Sequence, residues 1–314
     1  MKPDLRFVVL VFALVGAVVA ETPSDGPAAA SVDLRPNFRA GRAASYRFWT
    51  QRQTEHRRTF AGRSSSISSR YVIEGVLGWT VDDVHDDGSA TCTMKIEWMK
   101  WTITMPDGSN RTNDSREQPA EDDPRHQLLI AMTATPLEYE VAVDGMVNSV
   151  SGTDAIREAV DQPARVPHDL DFIESAADLA VLVAAPEKIE PGGRWEVPLS
   201  WTHDFGLMHH QMTFTLSSLE TLAGIPVATV SGTSEMSLEV DASKLPQNGP
   251  EVEVELLDAS LEVQIMYDLA RHEAVGRNSI ENRTVRISAE VSGRSAVTVG
   301  KERIQSQVLR ISED

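Results

Sequence analysis

Four residues with metal-binding chemistry lie close together in the chain: His203, Asp204, His209 and His210. Asp-Phe-Gly at 204–206 predicts a hairpin turn, across which His203 and His209 approach each other and share an ion with Asp204. Two neutral imidazoles and a carboxylate suit zinc or copper. Neighbouring residues of a strand face opposite ways, so His210 cannot join His209 on the same ion. The alternative is a polar hairpin tip without a metal, which we favour, and we therefore expect no cofactor.

Tryptophan is the second residue type that points to binding. The chain contains six tryptophans, most of them in segments with strand-like alternation. Trp98 with Trp101, and Trp195 with Trp201, are placed to line an apolar groove between curved sheets, where an apolar ligand would bind. The alternative is ordinary core packing, because large aromatic side chains dominate protein cores in any case.

Several enzyme classes are disfavoured by the motifs. His272-Glu273 begins like a zinc-protease helix, but Gly276 stands where the second histidine is needed. The sequence contains no Gly-x-Ser-x-Gly nucleophile elbow, no phosphate-binding glycine loop and no dinucleotide fingerprint. Its single cysteine, Cys92, lies in a strand-like segment, where a buried structural thiol is expected. The sequence therefore favours a protein without catalytic activity.

The elements that must position these residues are mainly strands. Apolar residues alternate with smaller or polar ones over 71–81 and 90–98, on either side of an Asp-Asp-Gly turn at 86–88. This pattern predicts a hairpin of long strands with one buried face. The apolar positions change parity after Trp98, so we expect a β-bulge near residues 99–100. Short helices are predicted over 124–133, 153–161 and 170–184.

The two-residue rhythm returns after the Pro-Gly-Gly at 191–193 and continues, with turns about every ten residues, to residue 311. Residues 137–144 and 261–268 also share the same alternation and the same closing aspartate, which favours an internal duplication. We therefore predict a mainly β protein: two related curved antiparallel meanders, forming a half-barrel or an extended sheet, with a few short helices.

The first twenty residues have the layout of a secretory signal peptide. Lys2 and Arg6 precede an apolar run that ends in small residues, and the run is too short for a comfortable membrane span. We expect export to the periplasm or the exterior, and no integral membrane span after cleavage. The domains we predict are a signal peptide (1–20), a flexible leader (21–33), a first β-rich half (34–168), a connecting helix and linker (169–188) and a second β-rich half (189–314).

The net charge of −18 disfavours nucleic acid and anionic membranes as partners, because an acidic surface repels polyanions. It also favours solubility. Surface charge alone does not identify a ligand. The partners that we expect are an apolar ligand or another protein of the cell envelope.

Three turn motifs give the chain a recognisable outline. They are Ala-Gly-Arg at 40–42 followed by Tyr-Arg-Phe at 46–48, Val-Asp-Gly-Met-Val at 143–147 followed by Val-Ser-Gly at 150–152, and Ile-Glu-Pro-Gly-Gly-Arg-Trp at 189–195. With these motifs the chain resembles a family of exported bacterial proteins of unknown function. The resemblance spans most of residues 33–311 and implies a β-dominated fold, but no catalytic residues.

The function we predict is non-catalytic binding of a partner or of an apolar, lipid-like ligand on a curved sheet face. Two alternatives stay open at this point. One is a metal-assisted hydrolase centred on His203, Asp204 and His209. The other is a structural or assembly protein of the cell envelope, which would show unpaired strand edges.

Overall fold

The computed structural model describes residues 31–118, 123–158, 184, 186–203, 205–245 and 250–311. The elements in these residues are β1 (Ala43–Phe60), β2 (Arg63–Val84), β3 (Ala90–Thr104), β4 (Asn110–Asp114), α1 (Pro124–Ala134), β5 (Leu137–Val141), β6 (Val147–Ser151), α2 (Thr153–Glu158), β7 (Arg194–His203), β8 (Gly206–Leu222), β9 (Ile225–Val240), β10 (Val252–Asp268), β11 (Glu273–Val291) and β12 (Arg294–Ile311). A 3-10 turn follows β9 at Ala242–Lys244. The prediction of a mainly β protein is confirmed.

The strands form one open antiparallel sheet in the order β6-β5-β3-β2-β1-β12-β11-β10-β9-β8-β7, with β4 paired to β3. The chain enters at the centre with β1 and meanders outward to β6. It resumes at the opposite edge with β7 and meanders back to the centre with β12. Pairing of β1 with β12, from Ser45–Ile311 to Phe60–Ala296, therefore joins the two meanders into one extended sheet.

Two hydrophobic clusters lie on the same face of this sheet, which we call the inner face. Residues directly opposite each other on neighbouring strands share a face. In the first cluster Tyr46 lies opposite Leu77, and Leu77 lies opposite Ile96. The second cluster contains Phe214 and Val263, which lie on either side of Gly232.

The register across the central strands shows that the two clusters share one face. Phe48 of the first cluster lies opposite Val308, and Val308 lies opposite Arg277. Arg277 in turn lies opposite Ile265, which belongs to the second cluster. The alternation seen in the sequence thus places a single apolar face along the sheet, from β5 to β7.

Helix α1 covers the first cluster. Asp123 caps the helix by accepting a hydrogen bond from the backbone N–H of Arg125 at 3.0 Å, and Pro124 occupies the first turn. Leu128, Leu129 and Met132 are buried on the sheet, and the helix packs on β3 and β4. The predicted helix at 124–133 therefore exists. Helix α2 corresponds to the beginning of the predicted helix at 153–161, and the helix predicted at 170–184 falls almost entirely outside the described residues.

The parity change in β3 arises from a bulge, as predicted, but two residues earlier. Opposite β2, Val76 pairs with Trp98 and Leu77 pairs with Ile96, which leaves Glu97 as the extra residue. Ile96 and Met99 therefore face inward, whereas Trp98 faces outward.

No helix among the described residues combines the length and the apolar character needed to cross a bilayer.

Candidate functional site

Five central strands extend beyond their neighbours and form what we call the arm. It comprises residues 54–60 of β1, 63–69 of β2, 252–259 of β10, 284–291 of β11 and 294–301 of β12. On one side, pairing of β3 with β2 stops at Thr104–Arg70. On the other side, pairing of β9 with β10 stops at Ser234–Leu261. The arm is thus a narrower continuation of the sheet.

The inner face of the arm carries a row of partly exposed apolar side chains. We call these residues the apolar strip: Val252, Val254, Leu256, Val285 and Ile287. Cross-strand pairing places Val254 opposite Ile287 and Leu256 opposite Val285. All five side chains are half-buried, whereas Glu253 and Glu255, which alternate with them on β10, are exposed.

The outer face of the arm is polar at the same level. Arg286 forms an ion pair with Glu255, and Ser288 donates a hydrogen bond to Glu253 at 3.2 Å. At these positions of β10 and β11 the apolar side chains therefore lie on one face, as period-two alternation requires. Because of this asymmetry, we expect an apolar molecule to bind the inner face of the arm in preference to the outer face.

Next to the apolar strip lies a group of four charged residues, which we call the central charge cluster: Arg52, Glu281, Arg283 and Glu302. Glu302 lies directly opposite Arg283 and accepts hydrogen bonds from both guanidinium groups of the cluster. Nε of Arg283 lies 3.1 Å from Oε1 of Glu281. The side chains of Arg283, Glu281 and Glu302 are only 11%, 14% and 14% exposed, so these charges interact in a largely dehydrated setting.

Burial and neighbouring charges move the two carboxyl groups in opposite directions. Burial raises the pKa of Glu281, with a further contribution from the nearby Glu302 carboxylate, and Arg283 offsets this only in part. Burial also opposes ionisation of Glu302, but the guanidinium groups of Arg283 and Arg52 hold its pKa below the ordinary value. Burial thus makes the ionised form of Glu281 less favourable, whereas the two guanidinium groups favour the ionised form of Glu302.

His210 lies beside this cluster on the inner face. Its ring stacks on Trp201 with 3.7 Å between ring centroids, and Nδ1 lies 3.2 Å from Oγ of Ser234. Burial, together with the positive charge of Arg283, lowers the pKa of His210 to about 4. The imidazole is therefore neutral at physiological pH and extends the apolar surroundings of the cluster.

The structure separates the four tryptophans proposed for ligand binding. Trp101 is 1% exposed in the first cluster, whereas Trp98 lies on the outer face with Arg116 stacked 4.1 Å from its ring centroid. Trp98 borders an outer groove of about 590 Å³ together with Trp49. Trp195 and Trp201 both lie on the inner face, stacked on Phe214 and His210 respectively. Whether any of the four contacts a ligand stays a prediction.

The histidines of the proposed metal site occupy separate positions. His209 faces Ser200 across the hairpin and bonds to it at 2.9 Å, and its Nε2 lies 3.0 Å from Glu239. His203 is three residues from Ser200 along β7, so alternation places its side chain on the other face. Nδ1 of His203 accepts a 3.4 Å hydrogen bond from the backbone of Phe205.

Asp204 falls outside the described residues, so the complete metal site stays a prediction. Within the described part of the chain, no group of three histidine, cysteine or acidic side chains is arranged to hold a metal ion. His209 instead serves as a polar link between β7 and β9 on an exposed surface.

Sequence reasoning missed the central charge cluster. Arg52 follows Tyr46 and Phe48 at the same parity, which was a usable signal that it faces inward. Its partners, however, lie about 230 to 250 positions away on β11 and β12, and no local pattern reveals that β12 pairs with β1.

Two solved structures align with most of this chain, both at low sequence identity. The structure is similar to a solved structure of lipovitellin, described for the lipid-protein interactions in that protein, over 85% of this chain and 25% of the other, with 11% identity and a TM-score of 0.43. The chain thus spans about a quarter of that protein's length. A DUF1329 family protein from Desulfovibrio piger aligns over 80% of this chain and 83% of its own, with 7% identity and a TM-score of 0.13. At these scores neither similarity informs the function.

Sequence comparison is more specific but covers less of the chain. No curated protein matches the sequence. Residues 87–169, from the start of β3 past α2, match the model of DUF6263, a family of unknown function. This match confirms the resemblance to a family of uncharacterised proteins.

Proposed function

We propose that this protein is a non-catalytic binder of an amphipathic, lipid-like molecule with an anionic head group, held on the inner face of the arm. The observation that carries the proposal is the apolar strip. Its five side chains stay half-exposed on the same face on which the two clusters are sealed from solvent. Covering such a strip with an alkyl chain removes apolar surface from water, which is the main driving force for lipid binding.

The geometry of the strip fits an extended chain. Val252, Val254 and Leu256 point to one side at every second residue of β10, over a length of roughly 13 Å at the rise of an antiparallel strand. Val285 and Ile287 form a parallel row on the neighbouring strand. An alkyl chain lying between the two rows would contact both.

The central charge cluster supports an anionic head group at one end of that chain. Val285 is two residues from Arg283 on the same strand and the same face, so the strip begins where the cluster ends. Arg52 and Arg283 place two guanidinium groups there, and burial raises the pKa of the neighbouring Glu281, which makes its ionised form less favourable. A carboxylate or phosphate there would meet these two guanidinium groups in a poorly hydrated place, where such an interaction is strong.

We further propose that the protein acts outside the cytoplasm, in the periplasm or beyond. The support for this is the sequence of residues 1–20, with its basic start, apolar run and small residues at the cleavage position.

Titration calorimetry with dodecanoate and with dodecanol tests the proposal. Dodecanoate should bind, and dodecanol, which has the same chain without the charge, should bind at least tenfold more weakly. The variant Ile287→Asp should weaken dodecanoate binding at least tenfold, because it places a charge in the strip.

Val299→Asp is the matched control. Val299 is also half-buried in the arm, but it lies on the outer face between Arg57 and Arg286. This variant should bind dodecanoate like the wild type. A wild-type protein that takes up no dodecanoate, or two variants that lose affinity equally, would contradict the proposal.

A further inference from the structure

The hairpin of β1 and β2 differs in charge from the rest of the molecule. The chain carries 47 acidic residues and a net charge of −18, but residues 56–70 contain none of them. The same fifteen positions hold four arginines: Arg57, Arg58, Arg63 and Arg70. The tip of this hairpin is therefore a local centre of positive charge on an acidic protein, and such a centre attracts anions over about a Debye length.

Large apolar side chains are exposed at the same tip. Phe60, which precedes the turn, is 41% exposed, and Ile67 is 58% exposed. The value for Ile67 is the highest among the large apolar side chains of the described residues. Neither side chain belongs to a hydrophobic cluster, so neither contributes much to folding in this position.

The cations and the apolar groups of the tip lie on one face. Arg63 is paired with Phe60, and Ile67 with His56, so both residues share the face of the even-numbered positions of β1. Arg58 is one of these positions. No ion pair joins Arg58 or Arg63 to another described residue, so both guanidinium groups face solvent with their charge uncompensated.

The tip lies at the end of the arm and, among the described strands, lacks a neighbour on its β2 side. Residues 63–69 of β2 pair only with β1, since the pairing with β3 ends at Arg70. The turn itself, Ala61-Gly62, has positive φ angles of 48° and 78°, as in the tight two-residue turns of hairpins. On its β2 side the tip can therefore reach a surface without obstruction from β3, and on its β1 side the β11–β12 hairpin ends beside it.

A second hairpin has the same kind of turn and the same apolar exposure as the β1–β2 tip, but it lacks the positive charge. The β8–β9 hairpin turns through Ala223-Gly224, with φ angles of 51° and 86°, and exposes Leu222 by 40% and Ile225 by 42%. Its turn and its apolar exposure match those of the β1–β2 tip. It has no lysine or arginine between residues 213 and 229, and its one charged residue there is Glu220.

We infer that the β1–β2 tip docks on the surface of an anionic phospholipid bilayer. Arg58 and Arg63 would contact the lipid phosphates, while Phe60 and Ile67 enter the boundary between head groups and acyl chains. Cations alone would suit any polyanion. Cations that share a face with exposed apolar side chains favour a surface that offers both charge and hydrocarbon, which a soluble polyanion lacks.

Vesicle co-sedimentation tests this inference. All variants begin at Glu21, because every described strand and helix lies within residues 31–311 and the apolar run at 6–20 would bind vesicles by itself. The wild type should bind vesicles containing phosphatidylglycerol at least tenfold more tightly than vesicles of phosphatidylcholine alone, and added salt should weaken this binding.

Three variants separate the contribution of the cations to vesicle binding from that of the apolar side chains. Replacement of Arg57, Arg58 and Arg63 by Gln should weaken binding by roughly 100-fold, since each cation near an anionic surface contributes about tenfold at most. Phe60→Ser with Ile67→Ser should weaken it at least tenfold. Leu222→Ser with Ile225→Ser, the matched control at the acidic hairpin, should leave it unchanged.

Two results would overturn the inference. One is equal binding to both kinds of vesicle. The other is binding to polyphosphate that is as tight as to vesicles and insensitive to the Ser replacements, which would identify a soluble polyanion as the partner. The inference does not depend on the dodecanoate site: Phe60→Ser with Ile67→Ser should leave dodecanoate binding unchanged, so either proposal can fail alone.

Discussion

We call the part of the inner face that carries the two hydrophobic clusters the lower part. The lower part and the arm have the same alternation of apolar residues but differ in how deeply these residues are buried. In the lower part, Leu216 and Val230 have no exposed surface, whereas Leu256 in the arm is half-buried and Ile67 at its tip is 58% exposed. All four residues stand at inner-face positions of long strands. The difference shows that alternation determines which face a side chain joins, while burial depends on what packs on that face. A sealed face stabilises the fold, and a partly open one is available for binding.

The largest expected difference is in the free energy of unfolding when a leucine is replaced by alanine in the lower part and in the arm. Leu216→Ala removes a fully buried side chain and should lower the free energy of unfolding by about 3 kcal/mol. Leu256→Ala removes a half-exposed one and should cost about 1 kcal/mol. Urea denaturation followed by tryptophan fluorescence measures both. Equal losses would show that the arm is as tightly sealed as the lower part, and the comparison would fail.

The pH dependence of stability probes the boundary between the two parts, where His210 lies. Because burial lowers the pKa of His210 to about 4, the unfolded chain binds a proton more readily between pH 6.5 and 4. Stability should therefore fall as the pH falls through this range, by roughly 2 kcal/mol from pH 7 to 4.5. In His210→Gln this part of the fall should disappear. An unchanged pH profile would mean that the imidazole is hydrated, and that the buried part of β8 ends before it reaches His210.

The smallest expected change in stability tests how closely side chains pack in the lower part of the inner face. A Cβ atom at Gly232 would lie 2.6 Å from Val263 and 2.7 Å from Phe214, so Gly232→Ala should cost about 1–2 kcal/mol through overpacking. Gly78, on the outer face, has its nearest neighbour at 3.4 Å. Gly78→Ala should be neutral or slightly stabilising, because it removes a flexible glycine from a strand. Thermal unfolding of both variants decides whether inner and outer glycines differ as expected.

Local sequence patterns predicted which segments form strands, but the turns expected about every ten residues were wrong for β9 and β10, which continue unbroken over 16 and 17 residues. They also predicted α1, where Asp123 and Pro124 provide a cap and a first turn before the apolar Leu128 and Leu129. The bulge in β3 was predicted from the parity change, but its position was wrong by two residues. Trp98 is apolar and was therefore assigned to the inner series, although it lies outside and stacks with Arg116.

The candidate site was harder to predict because it depends on contacts between distant strands. Arg52 and Glu302 are 250 positions apart, and Glu302 takes its role only because β12 pairs with β1. Nothing in the neighbourhood of Glu302 distinguishes it from the many other acidic residues. The apolar strip had a local signal, since Val252, Val254 and Leu256 alternate clearly. Its partial exposure, which makes it a candidate site, is a property of the assembled sheet.

The meeting of the first and last strands at the centre of the sheet has a consequence for biosynthesis. During translation β1 emerges early, but its neighbour β12 is made only after all the other strands. Until then β1 and β11 each lack the neighbour that β12 provides, so each has an unpaired edge. Pairing of β1 with β12 joins the most distant parts of the chain, which is expected to be slow, and it cannot form before β12 has been made. A nascent or truncated chain lacking β12 would expose these edges to aggregation or to chaperones that recognise unpaired strands.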